Sequence, residues 1–441
     1  MRLRASASGT LNGEAQVPGD KSLSHRALML AAITVGETAV SGLLESEDVM
    51  ATRQALVDLG VDIEKGADGL WHVQGVGIGG LAEPDGVLDL GNAGTGARLL
   101  LGLLAGHPFT TFMTGDASLL RRPMGRVTRP LAEMGAGILA KSGERLPLAL
   151  TGSLDLIPIR YEQPSASAQV KSALLLAGLH APGKTTVIEK APSRDHTERM
   201  LRHLGADIET ERLEDGRQAV TVTGQPELEA VDLAVAGDPS SAAFPLVAAA
   251  LCPGSAIRIS QVGTNPLRAG LFTCLEEMGA DLSIGDEAHQ AGEPVATLGM
   301  RHGGLRGIDV PETRAPSMID EYPILAVAAA LAEGTTRMTG LAELRVKESD
   351  RLAAIASGLD AAGVDVEQGE DSLTIRGLGG PPRGGCTIDA AHDHRIAMSF
   401  LVLGSVSEQP IEVIGAETID TSFPGFADLM NGLGANIETV A

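Results

Sequence analysis

With 441 residues, 44% of them hydrophobic and 55 of them glycine, the chain is long enough for two or three domains, and aromatics at 2% leave their cores to Leu, Ala, Val, Ile and Met. The scarcity of aromatics argues against stacking platforms for single-stranded nucleic acid, and 57 acidic against 34 basic residues, a net charge of −23, argue against a phosphate-backbone partner. Cys252, Cys274 and Cys386 are scattered without a CxxC pair, no apolar run approaches the ~20 residues of a spanning helix, and MRLRASASG leads into no apolar core, so a cytoplasmic protein without a signal peptide is expected.

The first predicted element with unusual chemistry is VPGDKSLSHRALMLAAI, residues 17–33. Its apolar part predicts a buried helix, yet Lys21, Ser22, Ser24, His25 and Arg26 crowd the helix mouth. A helix N-terminus already favours anions through its free N–H groups and the positive end of its dipole. Cations and hydroxyls placed there, in an acidic chain, point to an anion site. The plainer alternative is Asp20 or Ser22 as an N-cap with solvated charges around it.

The elements that follow form a repeat. LVDLGVDIE at 56 returns as LAEMGAGIL at 131, LRHLGADIE at 201, LEEMGADLS at 275, LDAAGVDVE at 359 and MNGLGANIE at 430. Gly60, Gly135, Gly205, Gly279, Gly363 and Gly434 each read as a left-handed helix stop followed at once by a strand. A second phrase recurs in step: small polar residues leading into an apolar helix, as in LGNAGTGARLLLGLLA, QPSASAQVKSALLLAGL, GDPSSAAFPLVAAAL, APSMIDEYPILAVAAAL and HDHRIAMSFLVLG. After each comes a turn and a β-rich run such as GKTTVIE, GSAIRIS or GTTRMTG. The unit is therefore strand, buried helix, strand, second helix and one or two further strands, read six times, which is an α/β architecture but not a Rossmann pattern.

The chain ends fix the layout. The sixth copy stops at GANIETVA, short of its last strands, while LRASASGTLNGEAQVPG precedes the first helix. The ends are expected to complete one another. Two globular domains of three units each follow, one from residues 1–19 plus 237–441, the other the insertion 20–236, with the active site in the cleft between them.

Anion-binding residues gather at the starts of the buried helices: Lys21, Ser22 and Arg26; Asn92, Gly94, Thr95 and Arg98; Ser165, Ser167 and Gln169; Asp320; His394 and Arg395. The second helices add Arg122, Arg194, and Lys347, Glu348 and Arg351 from ELRVKESDRLAAI. On a helix Lys347 and Arg351 are four apart and share a face. A solvated charge run is the plain alternative for that last group. GNAGTG lacks the GxGxxG spacing, DKS lacks the GxxxxGK spacing, and the Glu-Ser-Asp after Lys347 has no triad logic. His392 and His394 of HDHR form a poor metal pair, because adjacent arginine repels a cation.

Taken together, VPGDKSLSHRAL, LGNAGTGARLL, RRPMG, SASAQVKSALLLAGL, SRDHTERML, APSMIDEYPILAVAAA, LRVKESDRL and HDHRIAMSFLV resemble the 5-enolpyruvylshikimate 3-phosphate synthases over essentially the whole chain. SAQ and ELRVKESDRL resemble the class II bacterial branch. The resemblance implies two domains, each of three βαβαββ units in an inside-out α/β barrel. It also implies transfer of the enolpyruvyl group of phosphoenolpyruvate to the 5-hydroxyl of shikimate 3-phosphate, with release of phosphate, in aromatic amino-acid synthesis. No metal or organic cofactor is implied, the partners are the two small substrates, and a monomer is expected.

By the same resemblance, Lys21 and Arg122 would hold the phosphoenolpyruvate phosphate and Arg351 and Arg395 its carboxylate, with Gly94 and Gln169 lining that subsite. Ser22 and Arg26 would hold the shikimate carboxylate. Lys21, Ser167, Ala168, Gln169, Arg194 and Lys347 would take the 3-phosphate and ring. Asp320 would be the base for the 5-hydroxyl, and Glu348 with Lys21 would move the proton at C3. Two positions depart from the wider pattern. Thr421 of DTSFPGF stands where many members carry Lys, and Gly94 stands where glyphosate-insensitive class II members carry Ala, which implies a glyphosate-sensitive enzyme. The sister enzymes that act on UDP-N-acetylglucosamine carry a loop Cys in the second unit and a KN pair near the start, whereas this chain has GDASLLRRP and DKS.

Overall fold

The computed structural model describes residues 1–440. Cα packing divides them into two compact units: unit 1 takes Met1–Asp20, Ala236–Ala288 and Pro294–Ala441, and unit 2 takes Lys21–Val235 with His289–Glu293. Residues 289–293 thus leave the partition expected from the repeats. They are drawn to unit 2 by the buried pair of Glu293 Oε1 with His196 Nδ1 at 2.8 Å, and by the close approach of Gly292 to the Arg199 carbonyl.

Unit 2 contains three pairs of helices: α1 (Lys21–Ala32) and α2 (Glu47–Asp58), α3 (Gly94–Leu104) and α4 (Gly125–Glu133), α5 (Ala168–Gly178) and α6 (His196–His203). Unit 1 repeats the scheme with α7 (Pro239–Leu251) and α8 (Gly270–Glu277), the short α9 (Ala315–Met318) leading to α10 (Tyr322–Leu331) and α11 (Arg351–Ala361), then α12 (His394–Gly404) and α13 (Phe426–Leu433). The first helix of each pair is interior. Every residue of α7 is buried, as an all-round apolar sequence demands. The second helix is amphipathic and ends at the recurring glycine. Gly60, Gly135, Gly205, Gly279, Gly363 and Gly434 all have φ between 86° and 115°, which an L side chain rarely adopts.

Six four-stranded sheets surround the buried helices. In each, a short edge strand pairs in parallel with the strand that follows the buried helix, and the next pairing is antiparallel, as in Leu88↔Met113 followed by Thr111↔Leu150. Strand Arg145–Thr151 alternates exposed and buried residues, so the sheet has one dry and one wet face. Helices lie inside and sheets outside. The chain ends interlock: Arg2–Ala5 pairs with both Ile411–Ile414 and Ile437–Thr439, while Asn12–Ala15 joins Ala256–Gly263. Among the described residues no helix is long and apolar enough to cross a membrane.

The interior helices of unit 2 touch backbone to backbone. A Cβ on Gly102 of α3 would fall 2.1 Å from the Ala173 carbonyl oxygen of α5. Alanine would improve helix propensity by about 1 kcal/mol. A main-chain overlap, however, cannot be relieved by rotating a side chain, and overpacking typically costs about 1–3 kcal/mol. Gly102→Ala should therefore lower the melting temperature despite the better helix former; a raised one would show that α3 and α5 are not in contact here.

Candidate active site

Unit 2 carries the first cluster. Lys21 opens α1 and its Nζ is paired with Asp48 Oδ2 at 2.8 Å. Arg26, one turn on, is 3% exposed. Its Nη1 donates to the Ser22 carbonyl at 2.8 Å, its Nε to Thr197 Oγ1 at 2.8 Å and its Nη2 to Ser172 Oγ at 2.9 Å. Arg26 is therefore a strut between α1, α5 and α6 as well as a cation.

The start of α5 is capped by Ser167, whose side chain accepts from the Val170 N–H. Ala168 and Gln169 form its first turn, half-buried. Gln169 Nε2 donates to Thr95 Oγ1 at 3.0 Å and Gln169 Oε1 accepts from Arg98 Nη1 at 3.1 Å, which locks the mouths of α3 and α5 together. Arg98 also donates to the carbonyls of Gly94 and Pro123. Burial, then the charges of Arg122 and Arg126, pull the Arg98 guanidinium down to about 10, so it stays charged at neutral pH. Arg122 Nη2 donates to Asn92 Oδ1 at 3.0 Å, beside Gly94. Arg194 lies in the loop that precedes α6. Lys21, Ser22, Arg26, Gly94, Arg122, Ser167, Ala168, Gln169 and Arg194 thus occur on the helix mouths and adjoining loops of one unit.

Unit 1 carries the second cluster, built on Arg351. The residue is 1% exposed and each of its nitrogens meets a different carboxylate: Nε to Asp393 Oδ2 at 2.7 Å, Nη1 to Asp320 Oδ1 at 3.1 Å, Nη2 to Glu348 Oε2 at 2.5 Å. Burial works against the charged guanidinium, but Glu348, Asp393 and Asp320 reverse it and raise Arg351 above its ordinary value. Lys347 Nζ lies 3.6 Å from Asp320 Oδ1, and Arg395 Nη1 donates to the Asp320 main-chain carbonyl at 3.2 Å. The expectation that Lys347 and Arg351 share a helix face is corrected. Residues 342–346 form a 3-10 turn, Asp350 accepts from the Ala353 N–H as N-cap, and α11 begins only at Arg351. Lys347 and Glu348 sit on the approach loop, which is what lets Glu348 fold back onto Arg351.

A third network supports the second. Arg268 is buried against Asp20, Asp238 and Glu321, at 3.5, 3.0 and 3.1 Å. Burial, reinforced by Asp20 and opposed by Arg268 and Arg395, pushes the Asp238 carboxyl up to about 6. Glu321 Oε1 is also 3.6 Å from Arg395 Nη1. Sequence reasoning did not find Arg268, Asp393 or Asp48. The available signals were that Asp238 and Asp393 stand immediately before apolar helices, the place of an N-cap. His394 is buried, and His392 is exposed in a left-handed turn; among the described residues no three His, Cys, Asp or Glu side chains group as a metal site. Thr421 Oγ1 donates to the Thr418 carbonyl at 2.7 Å and lies 3.4 Å from His394 Nδ1.

A family model described as EPSP synthase (3-phosphoshikimate 1-carboxyvinyltransferase) matches residues 5–430. The chain belongs to the EPSP synthase family. It is 60% identical to a 3-phosphoshikimate 1-carboxyvinyltransferase of Paramagnetospirillum magneticum, over 97% of this chain and 96% of that one. A second, from Rhodospirillum rubrum, is 58% identical over 99% of this chain and 98% of its own. The solved EPSP synthase of Acinetobacter baumannii superposes with a TM-score of 0.91 at 45% identity, covering 100% of both chains. The enolpyruvyl transferase NikO of Streptomyces tendae shares the fold alone, with a TM-score of 0.79 at 19% identity.

In this EPSP synthase family member the Arg351–Asp393 contact is also a pH-dependent part of stability. Burial favours the neutral Asp393 carboxyl, but Arg351 and then His394 outweigh it and hold Asp393 below its ordinary value of 3.8. A depressed carboxylate contributes stability that is complete above the unfolded-state pKa and is lost as the pH falls through the folded one. Asn keeps the cap of α12 but not the charge. Asp393→Asn should be less stable by about 3 kcal/mol at neutral pH, and denaturant melts should show that gap closing below the ordinary aspartate value. A gap independent of pH would contradict the assignment.

Proposed function

We propose that these clusters serve one reaction, the transfer of the enolpyruvyl group of phosphoenolpyruvate to shikimate 3-phosphate with release of phosphate, on the shikimate pathway to aromatic amino acids. The observation that carries the reading is the triple grip of Arg351 on Asp320, Glu348 and Asp393, which puts both proposed acid–base carboxylates on one guanidinium. Asp320 takes the proton of the 5-hydroxyl as its oxygen bonds to C2 of phosphoenolpyruvate, while Glu348, with Lys21, delivers a proton to C3. The tetrahedral adduct then loses a C3 proton as its C–O bond to phosphate breaks, leaving the new enol ether and inorganic phosphate.

Arg351 and Arg395 hold the phosphoenolpyruvate carboxylate. That carboxylate takes over the Arg351 edge on which Glu348 rests at 2.5 Å, and the displaced Glu348 carboxylate, no longer held ionised by Arg351, takes up a proton and becomes the acid. Lys21 and Arg122 hold the transferred phosphate, beside Gly94 and Gln169. Ser22 and Arg26 receive the shikimate carboxylate, and Lys21, Ser167, Ala168, Gln169, Arg194 and Lys347 the 3-phosphate and ring. Two multiply charged anions require this density of fixed donors. The first cluster lies in unit 2 and the second in unit 1. The protein works as a cytoplasmic monomer without a metal or organic cofactor.

Two experiments test this. Phosphate release from phosphoenolpyruvate should depend on shikimate 3-phosphate and not on UDP-N-acetylglucosamine; the opposite dependence would assign the chain to the sister reaction. Glu348→Gln should lower kcat by about 10²–10⁴-fold with shikimate 3-phosphate affinity unchanged, and full activity in that variant would remove the acid–base role.

Gly94 offers a separate check. A Cβ there would lie 3.0 Å from Arg122 Nη1, a group assigned to the phosphate, and 3.2 Å from Arg98 Nη1. The wild type should be glyphosate-sensitive. Gly94→Ala should raise the half-inhibitory concentration by about tenfold or more, the scale on which one methyl discriminates in a packed pocket. Unchanged inhibition would place the inhibitor elsewhere.

A further inference from the structure

Lys171 stands two residues after Gln169 on α5 and is wholly buried. Its Nζ lies 2.8 Å from Glu189 Oε2 and 2.7 Å from Glu198 Oε1, and donates to the Ser193 carbonyl at 3.2 Å. Glu189, the last residue of strand Lys184–Glu189, also accepts from the Ser193 N–H at 3.4 Å and from the Ser193 hydroxyl. Main chain, hydroxyl and ammonium together tie Ser193 down, and Ser193 is the residue before Arg194.

The adjacent positions hold a different partner. Ser172 on α5 and Thr197 on α6 bond each other at 2.7 Å and both accept from Arg26, whose Nη1 donates to the Ser22 carbonyl. Residues 171–172 and 197–198 thus make two neighbouring polar layers between α5 and α6. One layer fastens α1 and the other fastens the loop before Arg194.

Three buried ionisable groups are an expensive way to fill a core, since an apolar replacement of similar volume is often neutral or stabilising. What an apolar core cannot do is fix a loop through directed bonds. Burial favours the neutral form of Glu198, against the pull of Lys171, and raises its carboxyl; Glu198 and Glu189 more than offset the effect of burial on Lys171, whose ammonium is raised. Burial therefore weighs against an ionised Glu198, while the ammonium of Lys171 is favoured. None of the three side chains reaches solvent, so none can touch a substrate.

We infer that Lys171, Glu189 and Glu198 form a positioning cluster that sets Arg194 at the right distance from Ser167–Gln169, and so fixes the grip of unit 2 on the 3-phosphate. The inference rests on the functional reading above, which gives those residues to the phosphate. A phosphate group demands several donors in register, and a displacement of about 1 Å in one of them is enough to weaken binding severely. The loss falls mainly on shikimate 3-phosphate, because the phosphoenolpyruvate carboxylate donors Arg351 and Arg395 are in unit 1 and its phosphate donors Lys21 and Arg122 are not bonded to the cluster.

The test is steady-state kinetics, with melting temperatures, on Lys171→Met, on Arg194→Ala and on the charge-neutral triple variant Lys171→Met, Glu189→Gln, Glu198→Gln. The triple variant leaves no unpaired buried charge and guards against a Lys171→Met that does not fold. Both cluster variants should raise the KM for shikimate 3-phosphate by about tenfold or more while the KM for phosphoenolpyruvate stays within about twofold. A triple variant that recovers the wild-type melting temperature and keeps the raised KM supports positioning over mere stability. A folded triple variant with the wild-type KM, alongside a raised KM in Arg194→Ala, overturns the cluster. An unchanged KM in Arg194→Ala instead overturns the role given to Arg194, and a wild type without shikimate 3-phosphate-dependent phosphate release overturns the functional reading itself.

Discussion

One buried guanidinium organises the charged cluster of unit 1. Arg351 is the first residue of α11, held there by the Asp350 cap, and it faces Asp393, the cap of α12, and Asp320, which precedes α10. Two helix starts and an approach loop are thereby joined through a single side chain with three carboxylates at 2.5 to 3.1 Å. A cation taken this far out of water is stable only while its partners remain ionised and well aligned. The same need is what suits it to its proposed role as an anion receptor, because a substrate carboxylate could replace one protein carboxylate without leaving the charge bare. In that proposal structure and reactivity are two uses of one electrostatic requirement.

Unit 2 meets the same requirement differently. Its cations are spread over α1, α3, the loop that leads to α4 and the loop that leads to α6, and the arginines on α1 and α3 bond neutral groups: Arg26 two hydroxyls and a carbonyl, Arg98 two carbonyls and an amide. Neutral acceptors orient a guanidinium without cancelling its charge, which suits the recognition of phosphate. Helix packing close enough to exclude a methyl at Gly102 keeps these mouths in register.

Much of this was readable from the residues because the repeat is written in backbone terms. A left-handed glycine after an amphipathic helix is a local geometric need, so six of them mark six units whatever the tertiary setting. The site motifs were legible for a related reason, since cations at the mouths of apolar helices in an acidic chain have few explanations. Partnerships were not legible. Arg351 with Asp393, Arg268 with Asp20 and Asp238, and Lys171 with Glu189 and Glu198 join residues far apart in the chain, and no periodicity records them. Nothing within SAQVKSALLLAGL marks Lys171 as enclosed; only the fold shows it. The helix expected to carry Lys347 failed on a local competition, an aspartate three residues on that caps better than it propagates.

The place where shikimate 3-phosphate binds decides whether the two clusters serve one reaction. A crystal structure of the protein with that ligand tests it most directly. The 3-phosphate should lie on Ser167, Gln169 and Arg194, the carboxylate on Arg26 and Ser22, and the 5-hydroxyl within hydrogen-bond reach of Asp320. A ligand seated away from these residues, with the 5-hydroxyl remote from Asp320, would contradict it.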